Sequence, residues 1–138
     1  MMMRHDALYP SRRSPVMADN VVATSQPLAT QAGLAMLARG GNAVDAALAG
    51  AIMLTVVEPT GNGLGSDAFA IVWDGTELHG LNASGRAPYR ATIELMKEKG
   101  HETIPVYGPL SWSVPGCVDG WAVLHERFGS RPMAELLS

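Results

Sequence analysis

The chain has 138 residues, of which 47% are hydrophobic and 17% charged, and its formal net charge is −3. This composition is typical of one globular domain. Because acidic residues outnumber basic ones, the chain lacks the excess positive charge by which proteins usually bind nucleic acids. The one cysteine, Cys117, cannot form an internal disulfide. No apolar run reaches the roughly 18–20 residues of a membrane span, so we expect no membrane partner.

Residues 1–20 show no hydrophobic periodicity and contain Pro10 and Pro15, so we expect a flexible lead-in there. The segment carries basic residues but lacks the apolar stretch of a secretory signal peptide. The sequence therefore predicts a cytoplasmic protein whose folded unit spans residues 21–138.

The folded part is predicted to begin with a strand and a helix. Residues 21–24 form a short β-branched run, which favours a strand. Pro27 follows a serine, a pattern that favours a helix start, and the helix is predicted over residues 27–39. Gly40 and Gly41 then end it, since glycine adopts the left-handed cap conformation at little cost.

A second helix is predicted over residues 43–57, with Asn42 as its capping residue. Its only polar side chains are Asp45 and Thr55, so we expect this helix to be buried on all sides. Asp45 lies in the first turn, where a carboxylate interacts favourably with the positive end of the helix dipole.

The loop that follows, residues 60–67, reads TGNGLGSD and is rich in glycine. It lacks the Lys-Ser/Thr of a phosphate-binding P-loop, and its glycine spacing differs from the dinucleotide-binding fingerprint. Two interpretations stay open at this point, a tight structural turn and a loop whose backbone closely approaches a ligand.

A β-hairpin is predicted next, with strands over residues 68–73 and 77–83. Asp74-Gly75 between them is a strong signal for a tight hairpin turn. We expect the hairpin to pack its apolar face against the second helix.

The last third of the chain contains several short predicted elements and no internal repeat. The helices are predicted over residues 92–99, 117–128 and 133–137, and the strands over residues 104–107 and 111–114.

Neither the cysteine nor the histidines indicate a reactive or metal-binding centre. Cys117 is predicted at a helix N-terminus, which can activate a thiol, but no histidine is clearly paired with it, so we interpret it as a small buried side chain. The four histidines lack metal-ligand spacing. We therefore predict no metal and no cofactor.

Four segments resemble the γ-glutamyltranspeptidase family, in the order in which that family carries them. GGNAVDAA and VVEP lie within residues 25–59, and NGLGSDAFAIVWDG, ASGRAP and SVPGCVDGW follow. The resemblance extends from residue 21 to about residue 137, and the combination of GGNAVDAA with VVEP at this spacing is specific.

This resemblance implies an N-terminal-nucleophile hydrolase, and the chain would hold the N-terminal part of its large subunit. The implied fold is α+β, an incomplete portion of a four-layer αββα arrangement. In such enzymes the precursor cleaves itself to expose a threonine, whose hydroxyl attacks a γ-glutamyl amide with the α-amine as base. Glutathione is the usual donor, and water or an amino acid accepts the acyl group.

The resemblance also implies a substrate-binding role for Arg86. The family's large subunit carries an arginine that binds the α-carboxylate of the donor, and Arg86 matches its position. A guanidinium group suits a carboxylate because two N–H donors face two oxygens. The loop residues Gly63, Gly65, Ser66 and Asp67 are expected to line the same substrate pocket.

Two departures from the family pattern put the γ-glutamyl substrate in doubt. Arg86 is followed directly by Ala87-Pro88, so an acidic neighbour that could serve the α-amino group is missing. The usual run of four glycines is replaced by GLGSD at residues 63–67. This loop variant resembles the amidohydrolase and acylase branch, which favours another small carboxylate-bearing amide.

No threonine of this chain lies in a small-subunit motif, so we expect no catalytic residue here. The nucleophile would come from a small subunit that is absent from these residues, and the chain alone is expected to be inactive. The alternative is a truncated remnant without activity, which could bind a partner through unpaired strand edges.

Overall fold

The computed structural model describes residues 15–138 of the chain. Most of the predicted lead-in, residues 1–14, lies outside the described residues, and residues 15–20 are exposed and irregular. The structure combines helices with one small sheet. The elements are α1 (Pro27–Ala38), α2 (Ala43–Val57), β1 (Ala68–Trp73), β2 (Leu78–Ala83), α3 (Ile93–Glu98), α4 (Cys117–Phe128) and α5 (Met133–Leu136), with a 3₁₀ turn at Pro109–Ser111.

Small residues let α1 and α2 pack closely as an antiparallel pair. A Cβ atom at Gly33 would lie 2.9 Å from the carbonyl oxygen of Ala46 and 2.8 Å from a methyl group of Val22. Gly40 ends α1 with a φ of 83°. The Asn42 side chain accepts hydrogen bonds from the first turn of α2, as predicted.

The second helix has the predicted bounds but is not buried on all sides. Leu48 and Ala49 are buried in the core, whereas Val56 is 74% exposed. The described residues cover α2 through α1, α4 and α5, and they leave its C-terminal half partly open. The prediction of a fully buried helix is therefore wrong for this part of the chain.

The hairpin forms as predicted, but it packs on a different helix. The strands β1 and β2 pair antiparallel with Ala68 opposite Ala83. Their face of smaller side chains lies on α4, where Gly120 leaves room for Ala83 and Leu81. The larger apolar side chains point outward, and Phe69 and Ile71 are 63% and 78% exposed. The predicted contact of this apolar face with α2 is wrong.

The three other predicted strands are absent from residues 15–138. Residues 21–24 are extended and cover the α1–α2 pair, and the hydroxyl groups of Thr24 and Thr30 lie 2.7 Å apart. Residues 104–107 and 111–114 are irregular, and Pro109 begins the 3₁₀ turn between them. A strand requires a partner for its backbone groups, and the described chain offers these segments none.

The core lies where α1, α2, α4 and α5 meet. It contains Met36, Leu48, Trp121 and Leu136, all at most 8% exposed. Burying a side chain such as Leu48 contributes about 1.5–3 kcal/mol. Cys117 belongs to the same cluster and is 4% exposed, as expected for a small buried side chain. Among the helices of residues 15–138, none has the length and apolar character needed to cross a membrane.

Candidate functional site

The turn that carries Arg86 is held in place by its backbone. Gly85 has a φ of 77°, and a Cβ atom there would collide with the carbonyl oxygen of Val114. The backbone N–H of Val114 donates to the carbonyl oxygen of Arg86 at 2.8 Å. Only glycine fits before Arg86, since a side chain would be strained and would clash.

The segment before α4 joins this turn to the glycine-rich loop. The N–H groups of Gly116 and Cys117 donate to the carbonyl oxygen of Ser66 at 3.3 and 3.0 Å. A Cβ atom at Gly116 would lie 2.7 Å from the backbone nitrogen of Gly85. Three distant pieces of sequence therefore share one network of backbone contacts.

Arg86 is exposed, and its side chain makes no hydrogen bond or ion pair with another residue of 15–138. It lines a cavity of about 520 Å³ together with Asn82, Ser84 and Asp119. The guanidinium group thus keeps its five N–H donors for an external acceptor such as a carboxylate.

The loop residues lie mainly around a second cavity. Gly63, Ser66 and Asp67 line a groove of about 510 Å³ between α2 and β1, and Gly65 is not among its lining residues. The Ser66 hydroxyl donates to the carbonyl oxygen of Gly63 at 2.6 Å, which closes the loop. The backbone network connects Arg86 with this loop, but the two groups face different cavities.

Asp45 has a larger structural role than the helix dipole predicts. Its side chain is fully buried and accepts from the backbone N–H groups of Asn42, at 2.8 Å, and Ser130, at 3.0 Å. It also accepts from the Ser130 hydroxyl and the Arg131 N–H. Burial raises the pKa of this carboxyl, but the hydrogen bonds from Ser130, Asn42 and Arg131 outweigh it and lower the pKa overall.

A polar cluster that the sequence analysis missed lies at the hairpin turn. The Nε2 atom of His79 lies 2.7 Å from Asp74 and 3.4 Å from Glu77. Such a group can bind a metal, but Arg127 lies 3.0 Å from the other ring nitrogen. Because Arg127 can only donate, the neutral ring carries its proton on Nε2 and donates it to Asp74. The cluster therefore acts as a network that ties the hairpin to α4.

The sequence and the structure of this chain both match one family of N-terminal-nucleophile hydrolases. The sequence model of the family described as Gamma-glutamyltranspeptidase matches residues 29–138, and the chain belongs to this family.

Its similarity extends to both hydrolases and acylases. The glutathione hydrolase proenzyme of Bacillus subtilis (strain 168) is 34% identical over 126 residues, which are 87% of this chain and 22% of that protein. The structure of cephalosporin acylase from Bacillus halodurans is similar with a TM-score of 0.86 and 54% identity, over 99% of this chain and 26% of that chain. The γ-glutamyltranspeptidase of Pseudomonas nitroreducens, complexed with L-DON, gives a TM-score of 0.80 and 32% identity, over 89% and 38% of the two chains.

The chain thus spans about a quarter of the length of the curated relatives that it matches.

Proposed function

We propose that this chain is part of an enzyme that cleaves a small carboxylate-bearing amide and passes its acyl group to water or an amine. The observation that carries the proposal is Arg86, whose exposed guanidinium group has no partner in residues 15–138 and whose backbone is held by Gly85 and Val114 at the edge of a cavity. A guanidinium fork on an anchored backbone can bind a carboxylate and so orient the scissile amide.

The nucleophile in this proposal is a threonine at the start of a small subunit outside these 138 residues. Its hydroxyl oxygen attacks the amide carbon and forms an ester, while the α-amine takes the hydroxyl proton and delivers it to the departing amine. Water or an amino acid then attacks the ester and releases the threonine. The chain alone is therefore expected to be inactive.

Two donor classes fit a carboxylate-binding arginine. A γ-glutamyl amide such as glutathione carries an α-amino group beside the carboxylate, and the similarity to glutathione hydrolases supports this class. A donor without the amino group is the second candidate, and the 54% identity with a cephalosporin acylase favours it. An inactive remnant is the third possibility, and the experiment must distinguish it from an enzyme of either donor class.

A chimera tests the proposal directly. This chain would replace the matching quarter of the B. halodurans acylase, and the product would be assayed with γ-glutamyl and glutaryl p-nitroanilide. We expect amide cleavage, and we expect Arg86→Ala to lower kcat/KM by about 10- to 100-fold, because a charge-assisted interaction with the carboxylate is lost. Arg86→Lys should recover part of it, since the charge remains without the fork.

The matched control is Arg90→Ala, which removes another exposed arginine four residues further along. It should leave kcat/KM unchanged. Equal losses in both variants would contradict a specific role for Arg86. A chimera that folds without cleaving either substrate would favour the remnant, and sequencing the coding DNA beyond the Ser138 codon would show whether a threonine-led segment follows.

A further inference from the structure

The His79 ring joins the hairpin to α4 through both of its nitrogen atoms. On the hairpin side, Nε2 lies 2.7 Å from the carboxylate of Asp74 and 3.4 Å from that of Glu77. On the α4 side, Nδ1 lies 3.0 Å from a nitrogen atom of the Arg127 guanidinium group. Only 10% of the His79 side chain is exposed, so the ring is largely shielded from solvent.

The contact with Arg127 requires a neutral ring. A guanidinium group can only donate hydrogen bonds, so Nδ1 must offer its lone pair. Protonation of the ring places a hydrogen atom on Nδ1, and two donors then face each other over 3.0 Å. The positive charge of the imidazolium ring also repels that of Arg127. Protonation therefore removes the hydrogen bond to α4.

The contact with Asp74 behaves in the opposite way. Because Nε2 carries a proton in both states of the ring, it donates to the Asp74 carboxylate in both. A positive ring strengthens this bond, and Glu77 adds a second negative charge close to Nε2. Within the described residues, Asp74, Glu77 and Arg127 are the charged groups in contact with the ring. The two carboxylates on the hairpin thus favour the proton that Arg127 on α4 opposes.

Phe128 gives Arg127 a second partner close to His79. The guanidinium carbon of Arg127 lies 4.9 Å from the centroid of the Phe128 ring, and this centroid lies 5.0 Å from that of the His79 ring. A cation is attracted to the face of an aromatic ring. Arg127 can therefore leave Nδ1 and still remain on Phe128.

We propose that His79 is a pH-dependent link between the hairpin and α4, in which the neutral ring holds Arg127 and the protonated ring releases it but keeps Asp74. Histidine changes its charge between about pH 5 and pH 8, where carboxylates and guanidinium groups keep theirs. The link lies near the start of β2 and near the end of α4, and the opposite ends of these two elements line the cavity beside Arg86.

A double-mutant cycle on the 138-residue chain tests the proposal. The parent chain, His79→Ala, Arg127→Ala and the double variant are unfolded in urea at about pH 8 and at about pH 5.5, and the cycle gives the coupling between the two side chains. At the higher pH we expect the coupling to raise the ratio of folded to unfolded protein by about threefold to tenfold, as one hydrogen bond does. At the lower pH we expect the coupling to disappear or to become unfavourable.

Arg131 and Glu135 form the matched control pair, since their side chains lie 2.8 Å apart and both keep their charges over this pH range. Their coupling should be the same at both pH values. A coupling between His79 and Arg127 that keeps its size at the lower pH, or that is absent at the higher pH, would overturn the proposal.

Nitrogen NMR spectra of the parent chain give a second readout that needs no variant. At about pH 8 we expect the neutral His79 ring to carry its proton on Nε2, because Nδ1 accepts from Arg127. A neutral ring with its proton on Nδ1 would contradict the proposed link, whatever the stability of the variants.

Discussion

The first turns of α2 and α4 each carry an aspartate at the third helical position, but the two carboxylates differ in burial and in hydrogen bonding. Asp45 is fully buried and accepts hydrogen bonds from Asn42, Ser130 and Arg131. Asp119 is exposed and bonds to no residue of 15–138. The difference comes from the surroundings, since α2 has a capping asparagine and a neighbouring turn, whereas α4 begins at a glycine whose N–H is already bonded.

Helix position alone therefore does not assign a role to a carboxylate. At Asp45 three backbone N–H groups and one hydroxyl group from two separate segments donate to the carboxylate, so the residue stabilises the fold. At Asp119 the N–H groups of Gly116 and Cys117 donate to Ser66 instead, so the carboxylate stays exposed to solvent. Removing the Asp45 carboxylate should therefore cost far more stability than removing the Asp119 carboxylate.

The largest expected effect is that of Asp45→Ala. The substitution removes the charged acceptor of the Asn42, Ser130 and Arg131 N–H groups, so we expect the free energy of unfolding to fall by about 3–5 kcal/mol. Urea unfolding followed by circular dichroism measures it. Asp119→Ala serves as the comparison and should change stability by no more than about 0.5 kcal/mol. Similar losses in both variants would remove the distinction between the two turns.

Gly85→Ala should have the next largest effect. Alanine is strained at a φ of 77°, and its Cβ atom would collide with the carbonyl oxygen of Val114, so we expect a loss of about 1–3 kcal/mol. Gly63→Ala is the matched control, because a Cβ atom there meets nothing within 4 Å. If Gly85→Ala is as stable as the control, the turn does not depend on this close contact.

Acid should weaken the α2 turn through Asp45. The native-state pKa of this carboxyl lies below its ordinary value of 3.8, so the folded protein binds fewer protons there than the unfolded chain. Its contribution to stability is present above that value and is lost as the pH falls through the lowered native-state pKa. We expect Asp45→Asn to show a shallower decline of stability than the parent chain below about pH 4, in urea titrations at successive pH values. Parallel declines would assign the acid sensitivity to other groups, such as Asp74.

The parent chain and the Asp45→Asn variant must be compared directly because the pKa of Asp74 is lowered as well. The backbone N–H of Glu77, the His79 ring and Thr76 all donate to its carboxylate. Both the parent chain and the Asp45→Asn variant retain this network, so the difference between them reports on Asp45.

Local signals in the sequence were sufficient for most element bounds. Asn42 and the glycines before it set the start of α2, and Asp74-Gly75 set the hairpin turn. These features act within a few residues, through caps and turn conformations, so no tertiary information was needed. Arg86 was found through its resemblance to a family pattern, and its role as a ligand-binding residue remains a prediction.

The packing partner of the hairpin could not be found in the same way. The strand β1 offers two faces, and the more apolar one, with Phe69 and Ile71, was expected to be buried. The choice depends on Gly120, about forty residues beyond β2, whose missing side chain admits Ala83. Hydrophobic alternation indicates that two faces exist, but shape complementarity decides which one meets the helix.

The sequence by itself determined the helices, the hairpin, the family and the arginine-bearing turn, because these depend on contiguous residues. Only the tertiary structure decided which charges are structural and which remain free. Ser130 reaches Asp45 across 85 positions of the chain, and Asp119 shares a cavity with Arg86 from a different element. Such distant contacts leave no local pattern, since they arise from how close-packed elements meet in three dimensions.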